Sequence, residues 1–126
     1  MTWTQTDAMT TAQLEGVRTK MDADPEPAYA LVYDVSETTL VAIVLAQPSG
    51  SIEDAEMTLI QNDPAGDLII ASGAALTFEL FAGDNTLLGG GSVSDMEGSG
   101  DMKIAGASGT NLFAGGRAVL GLFKLA

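Results

Sequence analysis

The stretch SGAALTFELFAGDNTLLGGGSV, residues 72–93, decides the fold class, because two strands and the turn between them are legible in it. Leu76, Phe78 and Leu80 alternate with Ala75, Thr77 and Glu79, the period of two that places one set of side chains on a buried face. The run breaks at Gly83-Asp84-Asn85, where Gly and Asn accept positive φ and Asp bonds its own backbone. Thr86-Leu87-Leu88 then resumes toward Ser92-Val93. The pattern predicts a β-hairpin with Leu76, Phe78 and Leu80 in the core and the glycines at 89–91 at a bulge or strand end.

On the N-terminal side of this hairpin, Thr10 followed by Gln13 forms a capping box, which predicts a helix starting there. Leu14, Val17 and Met21 make its apolar stripe, Glu15, Arg18 and Lys20 point outward, and Asp24-Pro25 ends it. Tyr29, Leu31 and Tyr33 alternate with Ala30 and Val32 in a first strand, with the two tyrosines read as core residues. Residues 39–46 are apolar on both faces, as in a strand covered on both sides, and Gln47-Pro48-Ser49-Gly50 reads as its end. Met57 and Leu59, then Leu68, Ile69 and Ile70, mark two more strands around a turn at Asn62-Asp63-Pro64-Ala65-Gly66. On the C-terminal side, Met102 to Ile104 is a short strand, and Ala118, Leu120 and Leu122 alternate with Val119, Gly121 and Phe123 in a strand that closes a sheet.

About eight short strands after one short N-terminal helix predict a mainly β protein, an antiparallel β-sandwich or jelly-roll. The expected organisation is an N-terminal arm over residues 1–9 and a single domain over 10–126 that includes a helix near 10–22. A chain of 126 residues buries roughly two-thirds of its unfolded surface in one modest core. With one Trp, two Tyr and four Phe, that core must be built from aliphatic side chains.

Seventeen acids against five bases give a formal net charge of −12, which repels phosphate backbones and anionic headgroups, so neither nucleic acid nor membrane is an expected partner. The acids keep a β-rich surface soluble and unpaired. The absence of Cys and His rules out disulfides, thiolate nucleophiles and histidine bases. The N-terminal residues show neither a basic n-region nor an apolar h-region, and no apolar run reaches membrane-spanning length, which predicts a soluble protein made in the cytoplasm.

Gly90-Gly91-Ser92-Val93-Ser94 lacks the last glycine of a nucleophile elbow, and Gly89-Gly90-Gly91 precedes no Lys-Ser/Thr pair of a phosphate loop. Asp22, Asp24 and Glu26 begin like a calcium loop, yet Pro27 and Tyr33 stand where the turn glycine and bidentate glutamate belong, so a solvated helix end is the better reading. Asp95, Glu97 and Asp101 surround glycines with no aromatic platform beside them, which suits a loop better than a pair of glycosidase acids. No catalytic, cofactor or metal residue is therefore assigned, and the chain reads as a non-enzyme. The polar start of the chain, with Trp3 among Thr4, Gln5 and Thr6, reads as a partner-binding arm whose ring seeks a pocket, preferably on a neighbour.

The helix capped at Thr10, the strand Leu31-Val32-Tyr33-Asp34, and Leu40-Val41-Ala42 leading to Leu45-Ala46-Gln47-Pro48 come first in a longer order. Ala71-Ser72-Gly73-Ala74-Ala75-Leu76-Thr77-Phe78-Glu79-Leu80 and Gly90-Gly91-Ser92-Val93-Ser94 complete it. This series resembles a family of small virion proteins of tailed bacteriophages and prophages. In that family a short helix precedes an L-R-I-Y-D strand, an L-L-A segment ending in proline, an A-S-G-T-A strand carrying an aromatic and an arginine, and a D-G-x-V strand. Here Phe78 and Glu79 stand at the aromatic and arginine positions, and Gly89 or Gly90 replaces the aspartate. The resemblance implies a virion structural protein without catalytic residues, most specifically a capsid decoration or cement protein. Its expected partners are the major capsid protein or other virion proteins and copies of itself, as a trimer, in the virion after synthesis in the host cytoplasm. The alternative is a receptor- or carbohydrate-binding module of a phage fibre, with Trp3, Tyr29 and Tyr33 as its available aromatics.

Overall fold

The computed structural model describes residues 6–105 and 110–125. Thr6 is extended (φ −78°, ψ 161°), and its hydroxyl accepts the Met9 N–H at 3.3 Å, capping helix α1, Asp7–Met21. The expected start at Thr10 is thus one turn late, and residues 7–9 of the expected arm are helix. Both threonines can cap, but once a helix is nucleated each further turn adds backbone bonds, here Thr10 N–H to Thr6 C=O at 3.0 Å. Asp7 at the first turn and Arg18 and Lys20 at the last match the helix dipole. Leu14 and Met21 are buried, and Lys20 binds Asp84, whose carboxyl is lowered to about 2 by that bond first and by Thr86 second.

The strands are β1 (Tyr29–Tyr33), β2 (Thr39–Glu53), β3 (Glu56–Gln61), β4 (Asp67–Leu68), β5 (Gly73–Ala74), β6 (Thr77–Phe81), β7 (Leu87–Asp95), β8 (Met102–Ala105), β9 (Asn111–Leu112) and β10 (Arg117–Leu125). The protein is mainly β with one helix among the described residues, as expected. The pairing, however, runs β3-β2-β1-β6-β7-β8-β10 and returns to β3 through Lys124↔Thr58 and Leu125↔Met57, so seven strands form a closed barrel. A two-sheet sandwich or jelly-roll is not what this ring describes. Nor is it wholly antiparallel, because β7 and β8 run parallel through Val93↔Met102 and Asp95↔Ile104. Closure has a local cause in two long bent strands: β2 breaks register between Leu45 and Gly50, and β10 between Leu120 and Leu122. Such bulges bend and twist a strand, and a ring removes the exposed edges that two small sheets would keep.

Gln47-Pro48-Ser49-Gly50 does not end β2, as expected, but forms its bulge, with a cis Gln47–Pro48 bond. The true turn lies beyond, where Asp54 (φ 52°) and Ala55 (φ 59°) are both left-handed, the primed geometry that matches strand twist in a tight hairpin. Asp22 at the end of α1 accepts the Ser49 N–H at 3.1 Å and so ties the helix to this bulge.

The opening hairpin is present as read: β6 pairs with β7 around the Gly83-Asp84-Asn85 turn, with Asn85 at φ 70°. Phe78 and Leu80 are buried. Leu76, expected beside them, is 48 % exposed, while Ala75 is buried in its place. Strand β6 begins only at Thr77, so the alternation does not extend back to Leu76, whose N–H is drawn to the Tyr33 carbonyl. In β1 the faces are likewise the reverse of the expectation. Ala30 and Val32 are fully buried, and Tyr29 and Tyr33 stand outside, since a small barrel interior has room for the smaller set. Inside, Phe78 meets Phe123 edge to face at 4.9 Å and 74°, among Val32, Ile43, Leu45, Met57 and Ile104.

Candidate functional site

The surface, not the interior, carries the candidate site. Every buried side-chain nitrogen and oxygen among the described residues has a hydrogen-bond partner, and no group of three or more acids among them is placed to hold a metal ion. No helix of the described residues is long and apolar enough to cross a membrane.

One end of the barrel carries exposed apolar side chains among polar turn residues. It is built by the β1–β2 turn, where Asp34 accepts the N–H groups of Ser36 and Thr38, and by two segments laid across it, 69–76 and 110–116. Ile69 exchanges backbone bonds with Gly115 and Gly116, and the Ser72 hydroxyl accepts the Ala114 N–H at 2.9 Å. Ile69 fills the core, which turns its neighbour Ile70 outward. Val35 (81 % exposed), Ile70 (63 %), Phe113 (61 %) and Leu76 (48 %) are thereby brought to the same end, although they are far apart in the chain. Sequence reasoning missed this group; only the exposed valine in a turn hinted at it. Helix α1 packs at the opposite end, beside the β6–β7 turn.

A second feature lies on the outer wall. A groove of about 670 Å³ is lined by Tyr33, Glu37, Thr77, Glu79, Gly91 and Ser92. The Tyr33 hydroxyl donates to Glu79 Oε1 at 2.9 Å. Burial first, then the Glu79 bond and charge, push the Tyr33 phenol up to about 12. Farther along the same strand, Tyr29 stacks on Phe81 at 5.1 Å and donates to Asn85 Oδ1 at 2.7 Å. The aromatic surface thus comes from residues expected in the core.

Of the expected partner-binding residues, Trp3, Thr4 and Gln5 lie outside the described residues, and Thr6 is the helix cap. Four of the acids singled out in the sequence accept from backbone N–H groups. Asp95 accepts from Glu97 and Gly98, Asp101 from Ser92, Asp24 from Glu26, and Asp22 from Ser49. Comparison with protein-family models, with curated proteins and with solved structures finds no match to this chain.

Proposed function

We propose that this chain is a structural protein of a tailed-phage virion, a capsid decoration protein that binds the major capsid protein as a homo-oligomer, with three copies the expected number. The observation that carries the reading is the apolar end of the barrel. Four large apolar side chains exposed at one end of a chain of net charge −12 offer apolar surface for a partner to cover. The sequence resemblance to small virion proteins supplies the class of partner. A closed barrel without free edges at most of its wall suits a rigid outer cap, and the capsid surface would bury the patch.

The test is binding to particles. Purified chain mixed with undecorated capsids should co-sediment with them, and Phe113→Asp together with Ile70→Asp should abolish co-sedimentation while leaving the circular dichroism spectrum unchanged. Binding to tails alone, to neither particle, or equally by the double variant would sink the proposal.

A second reading has one observation in its favour. Tyr33 and Tyr29 face outward, and Tyr33 walls the groove together with hydroxyls and carboxylates, the mixture of ring and polar groups found at saccharide sites. A receptor- or carbohydrate-binding module would bind glycans on an array and lose them on Tyr33→Ala, whereas a decoration protein would bind capsids and ignore glycans.

A further inference from the structure

A strand-sized piece is missing from the barrel wall. Strand β8 lies between β7 and β10 but begins only at Met102, level with Val93 on one side and Phe123 on the other. Below that level, residues 88–91 of β7 and Lys124 and Leu125 of β10 face each other with no strand of the described residues between them. The gap is two inter-strand spacings wide, ~10 Å, which is the room one added strand occupies. Asp101, just ahead of β8, closes the upper end by accepting the Ser92 N–H at 3.1 Å. That bond shows which way the edge of β7 faces, and by the two-residue repeat of a strand the Gly90 backbone faces the gap as well.

The gap opens into a cavity of about 440 Å³ whose walls include Val17, Phe78, Leu80, Leu88 and Phe123. Gly89 pairs opposite the buried Leu80 and so sits on the inner face, yet a Cβ built there meets nothing within 4 Å. Gly89 is exposed through the gap, whereas inner-face positions of a packed barrel are ordinarily covered.

We propose that this gap receives the N-terminal residues of a second copy of the chain as an added strand, with the Trp3 side chain in the cavity. The residues that precede the described structure have the needed pattern. Thr2, Thr4 and Thr6 alternate with Trp3 and Gln5, β-branched residues on one face and a large ring on the other. Residues 1–5 contain no acid, so they approach the Asp101 rim without repulsion on an otherwise acidic chain. Thr6, where the described chain begins, is already extended. Reach favours a neighbour over the chain's own arm. Val17, in the cavity wall, lies eleven residues along α1 from Thr6, about 16 Å of helix. The three residues from Trp3 to Thr6 span at most ~10 Å of backbone, so even with the indole added the chain's own arm would have to lie fully extended along α1, where it could not also pair as a strand in the gap. Passing arms from copy to copy would close a ring, consistent with a cyclic oligomer. This inference does not depend on the virion reading, and its test needs no particles.

Trp3 is the only tryptophan, so intrinsic fluorescence reports on it alone. The wild-type chain should be oligomeric by light scattering, with its tryptophan shielded from acrylamide. Gly89→Phe fills the cavity from an open position; it should keep the native circular dichroism spectrum, lose the oligomer and show severalfold stronger quenching. Trp3→Ala, which changes no side chain of the described residues, should lose the oligomer too. A monomeric wild type, a wild-type tryptophan open to quencher, an oligomer that survives Trp3→Ala, or a folded Gly89→Phe variant with unchanged oligomer and shielding would each overturn the proposal.

Discussion

The side-chain amide of Gln61 takes the place of a strand beside Leu120. Its Oε1 accepts the Leu120 N–H at 2.8 Å, and its Nε2 donates to the Ala118 carbonyl at 3.0 Å and to Asp67 Oδ2 at 2.8 Å. Among the described residues the β3–β10 ladder that closes the barrel holds two residue pairs, at Lys124 and Leu125, and the Gln61 amide extends that seam toward Leu120 and Ala118. Asp67 adds a bond to the Val44 N–H at 3.1 Å and links the seam to β2.

Gln61→Leu keeps nearly the same shape but leaves the Leu120 N–H and Ala118 C=O without this partner. Since backbone groups shielded from water lose a hydrogen-bond partner, the expected loss is about 1–3 kcal/mol. Urea denaturation followed by circular dichroism measures it, and an unchanged midpoint would show that the seam does not depend on the amide.

Phe78 and Phe123 join opposite parts of the ring, one on β6 and one on the closing strand β10. Phe123 is fully buried, and Phe123→Ala should cost ~3–5 kcal/mol through lost transfer energy and the cavity left behind. A double-mutant cycle with Phe78→Leu and Phe123→Leu should leave a coupling of ~0.5–1.5 kcal/mol for the edge-to-face contact. Additive effects would mean that the two rings act only as separate volume.

The raised phenol of Tyr33 sets a pH dependence. Its value in the fold, about 12, exceeds the ordinary 10, so the fold favours the protonated form. The resulting stability is fully present below pH 10 and is lost as pH rises through 12. In Tyr29→Phe, which leaves Tyr33 as the one tyrosine, ultraviolet titration should show late ionisation. Adding Glu79→Gln should lower it only part of the way, because burial is the larger cause. Ionisation at the ordinary value in Tyr29→Phe would contradict both the burial of the Tyr33 hydroxyl and its bond to Glu79.

Sequence by itself determined the elements whose causes are local. Gly83-Asp84-Asn85 carries its own turn chemistry, Phe78 and Leu80 carry the period of two, and the stripe of Leu14 and Met21 carries the helix. Local signals were ambiguous where two residues qualified, as with the caps Thr6 and Thr10. They also misled where a breaker served a bulge, as at Pro48. The surface that supports the proposed function left almost no trace, because Val35, Ile70, Leu76 and Phe113 are brought to one end of the barrel only through long-range pairing.

Tertiary structure decided the rest, because curling a sheet into a ring is a property of all its strands together. Alternation in β1 says that its faces differ, but the width of the barrel interior decides that Ala30 and Val32 enter and the tyrosines stay out. The glycines at 89–91 read as a bulge or strand end; the late start of β8 turns the inward-facing Gly89 into the lining of an open gap. Which strands are neighbours, and therefore which edge remains unpaired, depends on contacts between residues dozens of positions apart, and no local pattern encodes those.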